Sequence, residues 1–569
     1  MVGEPIIQFK DFGFQYYSQA EPTLYDINLI IRKGEKVLIV GPSGSGKSTL
    51  GHCLNGLIPF AYKGEITGSL TIGGKETKTS NIFELSKTVG TVLQDSDGQF
   101  VGLTVGEDIA FALENDCVEQ SEMKETVSKV ASMVDMGTLL NSSPFELSGG
   151  QKQRVAFAGV MVNEAEVLLF DEPLANLDPA TGKTAIDLID RIQKEYKKTV
   201  IIIEHRLEDV LYRHVDRVIV VSEGRIVADQ TPDELMASDI LKSLGIREPL
   251  YVTALKYAGV NITPEMKAGQ LETLDLSLTK EDLIKWHKSR VSVEKKNDQE
   301  NILEAKNLHF QYTKKRKILQ DINFEIKKGE MVSIVGTNGA GKSTLAKVIC
   351  GFVKEDQGGL YFDGEPMKDW TIKERSDKIG FCMQNPNQMI CKSMIYDEVA
   401  LGLRIRGFSE EEIRPKVERA LEICGLSAFR KWPISALSFG QKKRVTIASI
   451  LALDPKLLIL DEPTAGQDYK HYTEIMEFLK SLNDQGVTIL MITHDMHLML
   501  EYTPHAIVIS EGKKIGDATA VDILTNENIA QAANLKITSL YELALKAGID
   551  DARGFVKNFI EYEREVERA

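Results

Sequence analysis

Two stretches carry glycines, a lysine and hydroxyls at the spacing that can hold a phosphate: GPSGSGKST from Gly41 and GTNGAGKST from Gly336. Each has the form G-x-x-x-x-G-K-[S/T] and follows an apolar run, ending at Val40 or Val335. Glycines let backbone N–H groups turn inward around an anion, and the N-terminus of the following helix adds positive potential. The lysine reaches the outer phosphates and the next hydroxyl holds Mg²⁺. These places fall to Gly41, Gly44, Gly46, Lys47, Ser48 and Thr49, and again to Gly336, Gly339, Gly341, Lys342, Ser343 and Thr344. A glycine turn before a helix would explain one match without function, but not two in register.

Asp171-Glu172 and Asp461-Glu462 each close a wholly apolar run. Carboxylates set where a buried strand opens toward phosphates can coordinate Mg²⁺, here Asp171 and Asp461, and orient a water, here Glu172 and Glu462. His205 and His494 follow those glutamates by 33 and 32 residues, at the ends of TVIIIEH and TILMITH. That spacing predicts a neighbouring strand and a histidine placed to sense the terminal phosphate. LSGGQ from Leu147 and LSFGQ from Leu437 put a serine and small residues at the opening of a helix, which makes a second kind of anion site, far along the chain from either lysine.

The elements that must position these groups are duplicated. The phosphate loops repeat at an offset of 295 residues, and the serine motifs and acidic pairs at 290. Leu250-Tyr251 with Ala254-Leu255-Lys256 returns as Leu540-Tyr541 with Ala544-Leu545-Lys546, so a helical appendix closes each half. Apolar runs of strand length (Val37 to Val40, Val167 to Phe170, Val200 to Ile203) each precede a loop and a helical pattern, which predicts an α/β fold with a mainly parallel sheet. The expected division is 1–240 and 301–525 for the two catalytic domains, 241–300 for the first appendix and a polar linker (about 261–300), and 526–569 for the second appendix.

Composition limits the function classes. With 43% hydrophobic and 27% charged residues, the 569-residue chain reads as folded rather than disordered. Its 83 acidic against 68 basic side chains give −15, which argues against nucleic acid as the main partner. No run approaches the roughly 18 apolar residues of a membrane span, so any pore belongs to another chain. The six cysteines contain no Cys-x-x-Cys pair and are expected to be free thiols.

With both serine motifs in place, the chain resembles the ATP-binding cassette (ABC) ATPases over nearly all of both halves. The resemblance implies two P-loop ATPase domains, each with a helical signature subdomain, which close head to tail so that one half's signature covers ATP held by the other half's loop. One composite site would join Lys47, Ser48 and Glu172 to Ser438 and Gly440; the other would join Lys342, Ser343 and Glu462 to Ser148 and Gly150. It further implies adenine stacking by Tyr16 and Tyr312, Mg²⁺ contact by Gln94 and Gln384, and loop aspartates at Asp178 and Asp468.

The segments after Gln94 and Gln384 resemble those of energy-coupling-factor importers and their cobalt or nickel relatives, where a second glutamine, here Gln99 or Gln388, lies on a short helix facing a membrane partner. On that basis the chain is expected to be a peripheral ATPase on the cytoplasmic face of the membrane. It would use ATP and Mg²⁺ to drive an integral coupling protein and a substrate-binding membrane component, for a vitamin, a vitamin precursor or a metal ion. The alternative is a soluble tandem factor acting on ribosomes or nucleic acid, for which the neutral linker and acidic chain are unsuited. Phe439 in place of a signature glycine, Gln467, and Glu204 where threonine often precedes the histidine put the equality of the two sites in question.

Overall fold

The computed structural model describes residues 3–93, 96–175, 177–290, 299–313, 316–465 and 467–568. The chain divides into two compact units, Met1–Trp286 and His287–Ala569.

In the first unit, the strands Lys36–Val40, Thr199–Ile203 and Val167–Asp171 are almost wholly buried runs of valine, isoleucine and leucine, the pattern of a parallel sheet covered on both faces. The six-stranded sheet runs Arg225–Gln230, Arg217–Ser222, Lys36–Val40, Thr199–Ile203, Val167–Asp171, Val89–Val92, parallel except for its first pair. The second unit repeats this as Ile379–Cys382, Leu457–Asp461, Thr488–Ile492, Met331–Gly336, His505–Ser510, Lys513–Ala518, with only the last pair antiparallel. The α/β expectation therefore holds, and each acidic pair stands at the C-terminal end of an inner strand, where ligands of open parallel sheets bind.

Each unit also has a four-stranded antiparallel sheet that the sequence did not reveal: Leu24–Arg32, Pro5–Tyr16, Gly64–Ile72, Lys75–Glu76, and its counterpart around Asn301–Thr313. Its buried faces share a core with the parallel sheet, so that Phe9, Phe12 and Phe14 pack in one cluster with Val37, Ile39 and Leu50. Three helices form the signature subdomain, Val105–Asn115, Gln120–Met133 and Gly149–Met161, matched by Ile395–Ile405, Glu410–Ile423 and Phe439–Leu451.

The stretch 261–300, read as a polar linker, differs from that expectation. Residues 261–286 fold back into the first unit through Ile262, Leu274, Leu276 and Leu283, all buried, and carry most of the helix Lys280–Lys288. A few apolar residues at wide spacing suffice to anchor a segment whose charges face outward, and composition alone averages them away. The second appendix ends in the helix Ala552–Arg568, which buries Phe555, Val556, Phe559 and Ile560 at helical spacing.

Candidate functional site

Both phosphate loops require glycine. Gly44 and Gly46 have φ of 75° and 102°, and Gly339 and Gly341 have 79° and 104°, a left-handed backbone that a side chain strains. A Cβ on Gly41 would run into the Val221 carbonyl, and one on Gly336 into that of Ile509. The helices Lys47–Leu54 and Lys342–Ile349 start inside the loops. Lys47 Nζ donates to the Gly41 and Pro42 carbonyls at 2.7 and 2.8 Å, and Lys342 Nζ to those of Gly336 and Thr337 at 2.8 and 2.9 Å. The Ser45 hydroxyl is buried in the first loop without a protein partner, a polar cradle that a phosphate oxygen would satisfy.

The acidic pairs open onto these loops. Burial pushes the Asp171 carboxyl up to about 6, and the neighbouring Glu172 and Glu204 add to the rise. Asp461 is likewise raised by burial and by Glu462, but hydrogen bonding to Ser343 and the charges of Lys443 and Lys342 oppose this. A buried aspartate beside a loop hydroxyl suits a divalent cation, whose charge favours the ionised form. Glu172 and Glu462 have φ of 48° and 47°, an uncommon conformation for a non-glycine residue and one that recurs where function demands it. It turns each glutamate toward the adjacent strand end, where His205 Nε2 lies 2.7 Å from Glu172 Oε1 and His494 Nδ1 lies 2.7 Å from Glu462 Oε1. Nothing in the sequence distinguishes the two ring nitrogens.

The remaining residues are less uniform. Tyr16 reaches its own loop, with its hydroxyl 3.2 Å from that of Thr49, whereas Tyr312 stands 53% exposed with its edge to Phe310. Ser148 and Ser438 cap the helices Gly149–Met161 and Phe439–Leu451 in reciprocal boxes with Gln151 and Gln441, and lie with Gly150 and Gly440 at the surface end of those helices. Asp178 and Asp468 cap the helices Pro179–Tyr196 and Tyr469–Asp484. Gln94 lies outside the described residues, and Gln384 is exposed.

The two second glutamines are not counterparts. Gln99 accepts from Leu93 N at 3.0 Å and donates to the Thr91 carbonyl at 3.1 Å, pinning its loop; in the second half Met389, not Gln388, takes that place, with its sulfur accepting from Met383 N at 3.1 Å. A thioether can substitute for an amide acceptor, so matching by residue type picks the wrong position.

Three groups escaped the sequence reading. Lys443 is buried in the signature helix and donates to the Met383 and Gln384 carbonyls. Tyr62 stacks on His52 at 4.7 Å and lies edge-on to Tyr16 at 6.2 Å. It sits in the insertion that lowers the repeat offset from 295 to 290, and that shift was the available signal. Glu204, noted in sequence only as a substitution, is buried against Leu174, His205 and Arg206 N–H groups.

A glycine-rich loop at the end of a parallel strand, with a carboxylate pair and a histidine on the next two strand ends, defines a P-loop nucleotide hydrolase, present here twice. The chain belongs to the family described as ABC transporter, whose model matches residues 24–175 and 319–465, and it is an ATPase. A second model, described as ATP-binding cassette cobalt transporter, matches residues 238–310. Proteins named as ABC transporter ATP-binding proteins in Clostridium perfringens and Enterococcus faecalis are 60% and 57% identical, each over 99% of this chain and 99% of its own length. Among solved structures, cbiO1 of Clostridium perfringens, described as part of the ABC transporter complex cbiONQ, is 35% identical with a TM-score of 0.39, over 42% of this chain and 95% of its own. An ATP-binding cassette in its ADP conformation is 27% identical, with a TM-score of 0.39, over 41% and 98%.

Proposed function

We propose that this chain is the Mg²⁺-dependent energising subunit of a membrane importer, bound at the cytoplasmic face to an integral coupling protein and a substrate-binding membrane component. The observation that carries the catalytic part is the glutamate–histidine contact beside a phosphate loop, made in both halves at 2.7 Å. The loop amides and Lys47 or Lys342 hold the phosphates; Ser48 with Asp171, and Ser343 with Asp461, hold the metal, assisted by Gln94 and Gln384. Bound Mg²⁺ supplies neutralisation of charge on the transferring phosphoryl group. Glu172 or Glu462 orients the attacking water and takes its proton, while His205 or His494 fixes that carboxylate.

Signature residues Ser148 and Gly150, and Ser438 and Gly440, stand at helix N-termini suited to the nucleotide of the opposite half, which would make the fused halves an intramolecular pseudo-dimer. The importer part is supported by the match of residues 238–310 to a cobalt-transporter model and by the membership of a similar protein in a transporter complex, so a metal ion, a vitamin or a vitamin precursor is the class of cargo. No helix among the described residues is long and apolar enough to cross a membrane, so the pore comes from other chains. The docking surface is the first-half loop where Val101 and Leu103 are 63% and 79% exposed beside Phe100 and Phe145. Val105, one residue into the next helix, is buried and takes no part. In the second half Met389 and Ile390 pack partly on their own core.

Two measurements test this reading. Glu172→Gln with Glu462→Gln should retain ATP binding and lose Mg²⁺-dependent turnover; undiminished hydrolysis refutes the site. Leu103→Asp should abolish co-purification with the membrane protein while ATPase activity stays within about twofold; retained co-purification moves the docking surface elsewhere.

A further inference from the structure

The two acidic centres differ in the buried side chains packed beside them: Glu204 in the first has no counterpart carboxylate in the second, and Lys443 in the second has no counterpart cation in the first. In the first, Glu204 follows the strand Thr199–Ile203 and is 2% exposed. Both of its oxygens accept backbone N–H groups, from Leu174 at 3.1 Å, His205 at 2.8 Å and Arg206 at 3.2 Å, an acceptor-only arrangement that suits the ionised carboxylate. Burial pushes the Glu204 carboxyl up and the Glu172 charge adds to this, while Arg206, His205 and the His205 backbone N–H oppose it, and the Glu204 charge acts in turn on Asp171. The second half has Thr493 there, neutral and fully buried.

The second centre has the opposite addition. Lys443, 1% exposed, extends from the signature helix to the carbonyls of Met383 and Gln384 at 2.8 and 2.9 Å, within electrostatic reach of Asp461 and Glu462. In the first half the same helix position is Gln153, neutral, and its amide donates to the Pro173 carbonyl instead. Away from water, a charge near a metal site is screened poorly.

We propose that Glu204 and Lys443 make the two centres unequal toward divalent cations, the first binding the metal tightly and the second weakly. This rests on the Mg²⁺–nucleotide reading above.

The test measures Mn²⁺ bound by the full chain in AMP-PNP, from loss of the free Mn²⁺ paramagnetic signal corrected against AMP-PNP alone. Lys342→Ala leaves the first loop intact and Lys47→Ala the second. The Lys342→Ala protein is expected to bind Mn²⁺ about tenfold or more tightly than the Lys47→Ala protein. Adding Lys443→Gln to Lys47→Ala should tighten Mn²⁺ several-fold, whereas Lys443→Arg, which keeps the charge, should leave it weak. Adding Glu204→Thr to Lys342→Ala should weaken it several-fold. Both Lys443→Gln and Glu204→Thr install the residue that the other half already tolerates, and a thermal melt checks each fold. Equal Mn²⁺ affinities at the two loops, or exchanges that change nothing, overturn the inequality while leaving the Mg²⁺–nucleotide reading intact. Nucleotide-dependent Mn²⁺ binding at neither loop overturns both.

Discussion

The two halves share a fold but hold equivalent joints together by different chemistry. In the first, Arg217 bridges Glu35 and Asp229 at 3.2 and 2.8 Å; in the second, His505 bridges Glu330 and Asp517 at 3.1 and 2.6 Å. In the first, Lys36 is buried under the sheet and paired with Asp190 at 2.5 Å; in the second, the same place on the central strand is Met331, inside an apolar cluster. A permanent cation has become a titratable one, and a buried ion pair has become a hydrocarbon contact. The loop glycines and lysines, the acidic pairs and the histidines kept their residue types, so a duplicated fold tolerates exchange of its supports much more readily than exchange of its chemistry.

The largest effects should fall where the halves agree. Glu172→Gln alone and Glu462→Gln alone are each expected to lower the steady-state ATPase rate by about a hundredfold or more, as loss of a positioned base commonly does. If one of them left the rate near wild type, hydrolysis would belong to a single half, and the surviving similarity of the other would be structural.

Next in size is the buried pair. Asp190→Leu leaves the Lys36 ammonium buried without its carboxylate, and removal of one partner of such a pair costs about 3–5 kcal/mol. Lys36→Met should cost less, because Asp190 keeps Lys194 at 2.8 Å on its exposed side. The double variant Lys36→Met/Asp190→Leu, which moves this joint toward the second half's solution, should recover most of the loss in urea unfolding. A double variant no better than Asp190→Leu would show that the pair, rather than its volume, is required.

The sequence made the duplication, the phosphate loops and the presence of parallel strands legible because each depends on a simple signal: a repeat offset, a glycine spacing, an apolar run. It did not reveal the antiparallel sheet. The strand Pro5–Tyr16 shifts register three times against Leu24–Arg32, which breaks the alternation of period two that marks a half-buried strand. Nor did it reveal that Glu172 and Glu462 take a left-handed backbone, since no residue type there demands it. Nor did it single out Lys443, whose burial depends on its contact with the Met383 and Gln384 carbonyls of a distant loop.

The titratable joint gives a pH test of the same comparison. Burial works against the His505 cation, but hydrogen bonds to Asp517 and Glu330 outweigh it and bring its pKa up to about 9 from an ordinary 6.5. A raised folded-state value means that the protonated joint stabilises fully below about pH 6.5 and that the contribution is lost as pH rises through about 9. The second unit should therefore lose about 2–3 kcal/mol between pH 7 and pH 10 from this group. His505→Arg, which copies the first half, should remove that part of the pH dependence. A melt of wild type and variant falling in parallel over this range would show that the imidazole is not the stabilising charge.

The smallest expected difference concerns the nucleotide base. Tyr16 is held from three directions, by Phe14 at 4.7 Å, by Tyr62 at 6.2 Å and by its hydroxyl contact to Thr49, whereas Tyr312 has its ring contact with Phe310 among the described residues and is half exposed. An aromatic face beside a phosphate loop offers adenine a stacking surface worth about 1–3 kcal/mol. In the first half Tyr62, 44% exposed and backed by His52, offers a second such face from the insertion that the other half lacks. Tyr312→Ala should therefore weaken binding of a fluorescent ATP analogue at the second loop by about tenfold, and Tyr16→Ala at the first loop by only a few-fold. Tyr16→Ala with Tyr62→Ala should bring the first-loop loss up to that of Tyr312→Ala. Lys342→Ala and Lys47→Ala backgrounds isolate the two loops for this measurement. If Tyr16→Ala alone already matched Tyr312→Ala, the insertion would have no part in holding the base, and its aromatic cluster would serve only to brace the end of the antiparallel sheet.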